Sequence, residues 1–180
     1  MRLFIFRKAS KSCLWYDRNM DEKKEVAVFG GGCFWCTEAV FAMLKGVRSV
    51  VPGYVKGIEV VRMEFDLKEI SYRDLLTVFF ATHDPTSVDR QGADVGPQYR
   101  SVIFYVSEAQ RSEAERYAKE LKEEKPIVTL LESFEKFTEA EEFYKKFYEK
   151  DPSQPYCQLV IEPKLEKVKT KFEALLKTHS

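Results

Sequence analysis

The sequence predicts an α+β fold, a two-layer sandwich in the ferredoxin-like (split βαβ) arrangement, and three observations carry that reading. From Glu25 to Val106 the pattern runs strand, helix, strand, strand, helix, strand. Within it, Val61, Met63 and Phe65 alternate with Arg62, Glu64 and Asp66, as in a strand with one buried face. At 180 residues, 44% hydrophobic and 32% charged, the chain is long enough for one full core and too short for two.

The first strand is the apolar run Val26 to Phe29, which leads into three glycines and then a helix from about Cys33 to Leu44. A strand from Val47 to Val55 follows, with a bend or bulge expected at Pro52-Gly53. After the alternating strand, Ser71 is placed to cap a helix whose apolar face is Leu75, Leu76, Val78 and Phe79, ending before His83-Asp84-Pro85. Residues 84 to 99 are a turn-rich loop of a length that is more often functional than idle. Val102 to Val106 is a strand, Ser107 caps a helix to about Lys125, and Ile127 to Leu131 is a further strand. Ala140 to Lys150 reads as a helix, Asp151 to Pro155 breaks it, and Pro163 opens a last helix. Residues 1 to 20 read as an extension, non-native or disordered, ahead of a single domain over 21 to 180. Met20 is a possible true start, which would make Cys13 irrelevant to function.

Composition excludes several classes. The 29 basic and 29 acidic residues cancel, so neither nucleic acid nor an anionic membrane is expected as a partner. The apolar runs are too short to span a bilayer. Arg2, Arg7, Lys8 and Lys11 surround Leu3-Phe4-Ile5-Phe6 without the apolar segment and cleavage site of a signal peptide. Four cysteines, two of them at C-x-x-C spacing, fit a reducing cytoplasm and redox chemistry better than a secreted disulfide framework.

The chemistry concentrates in Gly30 to Glu38. A cysteine at a helix start meets unpaired amides and the positive dipole end, so Cys33 is expected to have a depressed pKa and to act as a nucleophile. Cys36 lies one helical turn away, within disulfide reach. Phe34 and Trp35 follow immediately, and two aromatics at a helix start ordinarily just fill core.

This block resembles the signature of the peptide methionine sulfoxide reductase A family. A second match is His83-Asp84-Pro85-Thr86 followed by Arg90-Gln91-Gly92-Ala93-Asp94-Val95-Gly96-Pro97-Gln98-Tyr99-Arg100-Ser101, in the right order and spacing. Weaker matches lie at Ala140-Glu141-Glu142, at Tyr156-Cys157 and at Val160 to Lys164. The resemblance implies the same core wrapped by long coils. It implies reduction of methionine S-sulfoxide, free or in proteins, with Cys33 as nucleophile, Phe34 and Trp35 holding the substrate methyl group, Glu59 as the acid, and Asp94 and Tyr99 orienting the sulfoxide oxygen. Glu38 and Asp94 are rival acids, although Glu38 reads better as a first-turn residue favoured by the helix dipole. Cys157 matches a position where many members carry a resolving cysteine, on a segment that Pro152 and Pro155 mark as flexible. The attack leaves a sulfenic acid, Cys36 or Cys157 converts it to a disulfide, and a thioredoxin-like reductant recycles it. No cofactor is implied, and a monomer is expected.

One departure stands out. After Gly53-Tyr54 the family usually carries a loop with an Asn-Pro-Thr-Tyr motif, and here Gly57-Ile58-Glu59 follows almost directly, so a substrate-pocket tyrosine has no counterpart. Three other readings compete: a thioredoxin-like dithiol oxidoreductase, which leaves residues 84 to 101 unexplained, a metal-binding module, for which one Cys-x-x-Cys and His83 and His179 are too few ligands, and a catalytically silent relative.

Overall fold

A computed structural model describes residues 24–178, so the reading of residues 1 to 20 and of Cys13 lies outside the described residues. Alternating side chains split the main sheet into two faces. On β1 (Lys24–Gly31), Ala27 and Phe29 point into the large core, and Val28 points the other way. On β3 (Ile58–Asp66), Val61, Met63 and Phe65 point into the large core, while Ile58 and Val60 join the smaller cluster. The odd-numbered positions therefore face the helices, and Glu59 is one of them.

The large core is closed by α1 (Phe34–Ala42), α2 (Tyr72–Thr82) and, near the C-terminus, α5 (Glu162–Lys171), and Ala114 is buried in it as well. Strand β2 (Val47–Val55) lies beside β3, and β6 (Ser101–Tyr105) flanks β1. Between α2 and β6 sits a small hairpin of β4 (Arg90–Gln91) and β5 (Asp94–Val95). After β6 come α3 (Glu108–Glu120), β7 (Leu130–Ser133), β8 (Thr138–Glu139) and the short helix α4 (Phe147–Lys150). The six-stranded order is β7-β6-β1-β3-β2-β8, antiparallel throughout except for the parallel β6/β7 pair. This is a mixed sheet in an α+β fold. The smaller face is covered by Leu130, Phe134 and Phe137.

Local signals explain most boundaries. Ser71 caps α2 in a full capping box, its side chain accepting from the Asp74 amide while the Asp74 carboxylate accepts from the Ser71 amide. Ser107 accepts from the Gln110 amide and starts α3. The β2–β3 connection is only Lys56 and Gly57, both with left-handed φ of 52° and 79°, the geometry of a type I′ hairpin turn. The shortened loop is thus closed by the tightest connection a hairpin uses.

Several expected elements shift. Pro52 and Gly53 lie within a continuous β2, and the irregularity falls at Val47/Ser49 instead. The helix after Ser107 ends at Glu120, short of Lys125, and the next strand begins at Leu130, later than Ile127. The helix expected from Ala140 to Lys150 is broken in two: a 3₁₀ turn at Glu142–Tyr144, then α4. Lys146, between them, has a left-handed φ of 52°, and its amide donates to both Glu38 oxygens at 2.9 Å. A tertiary acceptor for that amide replaces the hydrogen bond a continuous helix would have made. No described helix is long and apolar enough to cross a membrane.

Candidate active site

Cys33 is the N-cap of α1, and its neighbours make the site. It is 8% exposed, and its side chain makes no capping hydrogen bond to the helix amides. The amide that follows, of Phe34, donates to Glu59 Oε2 at 3.0 Å. Glu59 can do this because it faces the helix side of β3. Burial pushes the Glu59 carboxyl above its ordinary value, the Phe34 amide partly opposes that, and the nearby Asp94 charge adds to it.

The cysteine pair behaves differently from the expected lone thiolate. Cys36 is held down to about 7, chiefly by a hydrogen bond from Cys33, with help from Lys164 and Tyr156. Cys33 is pushed up by the same hydrogen bond, by burial and by the Cys36 and Glu59 charges. The Cys33 thiol is therefore raised, which corrects the expectation of a depressed Cys33 pKa. The reason lies in its surroundings: it is buried beside a second thiol, and its side chain takes no hydrogen bond from the helix amides.

The second signature region lands on the same site. Gly32, at φ +96°, has Gln91 Cβ where a side chain would have to go, 2.7 Å from an ideal Cβ, so the loop can press onto the cysteine turn only because that residue is glycine. The buried Gln91 amide then pairs with the Asp84 backbone, accepting from its N–H at 2.9 Å and donating to its carbonyl at 2.6 Å. Arg100 grips Asp89 through two hydrogen bonds of 2.8 and 3.0 Å. This fixed loop presents Asp94 and Tyr99. The Tyr99 hydroxyl is raised mainly by burial, then by the charges of Glu59, Asp94 and Cys33, so the four groups converge.

Aromatic rings complete the enclosure. The Phe34 ring lies 5.5 Å from Tyr54, edge-on, and 6.0 Å from Tyr144. Trp35 stacks flat on Phe147 at 3.7 Å and meets Tyr156 edge-on at 5.7 Å. Tyr54 pairs directly with Glu59 across β2/β3.

The sequence profile of the family Peptide methionine sulfoxide reductase matches residues 25–176. The chain belongs to that family. It is 47% identical over 174 residues to a peptide methionine sulfoxide reductase MsrA of Saccharolobus solfataricus, covering 86% of this chain and 98% of the relative. It is 50% identical over 167 residues to the MsrA of Sulfolobus acidocaldarius, covering 82% and 95%. Among solved structures, reduced Mxr1 from Saccharomyces cerevisiae superposes with a TM-score of 0.66 at 26% identity, covering 75% of this chain and 90% of that one. Mxr1 in complex with Trx2 matches with a TM-score of 0.52 at 26% identity, covering 67% and 83%.

Within this reductase fold, Cys33, Cys36, Phe34, Trp35, Glu59, Asp94 and Tyr99 are all brought together. Glu38 is not. It lies past the first turn of α1, 6% exposed, where burial raises its carboxyl and the Lys146 and Phe147 amides lower it. It is an anchor for the C-terminal chain rather than a dipole partner. Cys157, expected on a segment that Pro152 and Pro155 mark as flexible, is fully buried in a π-helical turn, Cys157–Ile161, and is raised by burial and then by Asp151 and Cys36. Pro163 accounts for the turn, because its ring would clash with the carbonyl four residues back, and the Glu162 amide bonds Cys157 O instead.

Tyr156 is the site residue that sequence reasoning missed. Its hydroxyl donates to Asp94 Oδ2 at 2.9 Å and lies 3.8 Å from Cys36 Sγ. Its place beside Cys157 was visible in the sequence, but nothing there said it would reach across to Asp94. His83, by contrast, is structural. Its Nδ1 bonds Phe79 O at 2.6 Å, so Nδ1 carries the proton, and Nε2 accepts from Ser101 Oγ at 2.7 Å.

Proposed function

We propose that this chain reduces methionine S-sulfoxide, free or in proteins, to methionine, using Cys33 as nucleophile and Glu59 as acid. One observation carries the reading: a carboxyl raised by burial accepts from the amide next to a cysteine, and that amide belongs to Phe34, whose ring lies against Trp35. A neutral sulfoxide is a poor electrophile, so its oxygen must gain a proton as the thiol attacks sulfur. Glu59 supplies that proton, and Cys33 releases its own through the hydrogen bond to Cys36. The S=O oxygen passes to Cys33 as a sulfenic acid and the thioether departs as methionine, so atoms and electrons balance. Tyr99 donates to the oxygen, Asp94 acts on it through the Tyr156 hydroxyl it holds, and Tyr54 and Tyr144 pack on the Phe34 ring.

Cys36 then attacks the sulfenic acid to form the first disulfide. Cys157, whose charge environment includes Cys36, takes that disulfide by exchange. Because Cys157 is buried, its π turn must open before a thioredoxin-like protein reaches it. The Mxr1 relative crystallised with Trx2 supports that partner. The antiparallel order β6-β1-β3-β2, with α1 and α2 as its two helices, supports a ferredoxin-like core for the single domain over residues 21 to 180. The four-cysteine composition supports a cytoplasmic location.

The test is a single-turnover assay on racemic methionine sulfoxide. Wild type should consume only the S epimer, and Cys33→Ser should form no methionine while keeping its fold. Turnover by the serine variant would remove Cys33 from the mechanism. Faster reduction of insulin disulfides than of sulfoxide would favour the dithiol oxidoreductase reading. Cys157→Ser should form the Cys33–Cys36 disulfide normally and slow only at recycling.

A further inference from the structure

Lys164 stands in the first turn of α5, half-buried. With Cys36, Thr37 and His83 it lines a small closed space between α1 and the end of α2. With Asp94 and Tyr156 it also lines the wider groove of about 600 Å³ on the outer side. Its neighbour Lys169 is tied to Glu166, but among the described residues no carboxylate pairs with Lys164. Five other titratable groups face Cys36: Cys33 from the start of α1, Tyr156 and Cys157 from the C-terminal turn, Asp94 from the hairpin, and His83 from the end of α2. Asp94 opposes an anion there, and His83 is neutral at working pH because burial holds it at about 4. The positive charge comes from Lys164.

We propose that Lys164 is a positioning residue that keeps Cys36 anionic and aimed at Cys33, so that the sulfenic acid closes to a disulfide quickly. The inference rests on the reading that Cys36 resolves the sulfenic acid. In that step the Cys36 thiolate attacks Cys33 sulfur, the S–S bond forms as the S–O bond breaks, and the oxygen leaves as water with the proton Cys36 gave up and the one already on the sulfenic oxygen. Cys33 is reduced and Cys36 oxidised, so no outside reductant enters. The thiolate is the attacking species, and its fraction near neutral pH sets the rate.

The experiment uses the full chain, oxidised by one equivalent of methionine sulfoxide, with sulfenic acid followed by a sulfenate-selective trap from pH 6 to 9.5. Lys164→Met should still give one methionine per enzyme, but close the disulfide roughly five- to tenfold more slowly at pH 7, the effect of losing about one pKa unit of thiolate stabilisation. The deficit should vanish near pH 9.5, where the thiol ionises unaided. Lys164→Arg should restore most of the rate. A Met variant that closes at the wild-type rate, a deficit independent of pH, or an Arg variant as slow as Met would each overturn the proposal. Cys36→Ser run alongside separates the two ideas: wild-type sulfenate decay in that variant would sink the resolving role of Cys36 itself, whereas slow decay there with normal decay in Lys164→Met would sink only the role of Lys164.

Discussion

Two carboxylates, one buried at the fifth residue of α1 and one half-buried at the second of β3, show how the two halves of this molecule are built. Glu59 and Glu38 both sit above their ordinary pKa because of burial, and both accept backbone amides. Yet Glu59 accepts from the amide beside Cys33, inside regular structure, whereas Glu38 accepts from an amide more than a hundred residues away in a chain that has left regular structure. The sheet-and-helix half carries the reacting groups on rigid elements. The C-terminal wrap, from Ala140 to Ile161, brings Tyr144, Phe147 and Tyr156 to the same place through scattered contacts: the tie of Glu38 to the Lys146 amide, the Trp35–Phe147 stack and the Tyr156–Asp94 hydrogen bond. On the proposed mechanism, chemistry that needs fixed geometry sits on the first half, and Cys157, which must open for recycling, sits on the second.

The comparison is sharpened most by exchanging each carboxylate. Glu59→Gln should lower the rate of the chemical step by about a hundredfold or more while leaving substrate binding in place, since a positioned acid contributes on that scale. A full-rate Gln variant, measured by single-turnover methionine formation, would pass the acid role to Asp94.

Acid should reveal the next largest effect, at His83. Its folded pKa of about 4 lies below its ordinary 6.5, so the unfolded chain binds the proton that the fold excludes. Stability should therefore fall as pH drops from about 6.5 toward 4, by about 2–3 kcal/mol over that window. Thermal melts between pH 7 and 4.5 on wild type and His83→Gln check this, and an equally steep acid dependence in the Gln variant would point to another group.

Glu38→Ala should cost about 1–3 kcal/mol, because it leaves the Lys146 amide without its acceptor. It should also weaken substrate binding through Tyr144 and Phe147 while sparing the maximal single-turnover rate. If that rate falls as far as in Glu59→Gln, the two carboxylates do not divide the work as their surroundings imply. The smallest effect is expected at the hairpin, where Gly57→Ala should lower stability by about 1 kcal/mol because φ is +79°. Urea melts would detect it.

How much of this was legible depended on what held each element. Strands β1, β2 and β3, helices α1 and α2, and the cap at Ser71 follow from period and capping chemistry, which are properties of neighbours in sequence. Glu59 facing the helices follows from the same alternation that puts Val61 and Met63 in the core. The break at Lys146 had no local signal, since Ala140 to Lys150 is a fair helix sequence and the competing acceptor, Glu38, is remote.

The sequence by itself determined which residues are the candidates for the chemistry, because Cys33, Cys36, Glu59, Asp94 and Tyr99 stand in short stretches whose residue types and spacing are informative. Tertiary structure alone decided how the protons are shared among them. Cys33 is raised and Cys36 held down because the two thiols are buried side by side and Lys164 of α5 lies near Cys36. A pKa is set by burial and by charges within a few ångströms, and no pattern along the chain records which distant residues those will be.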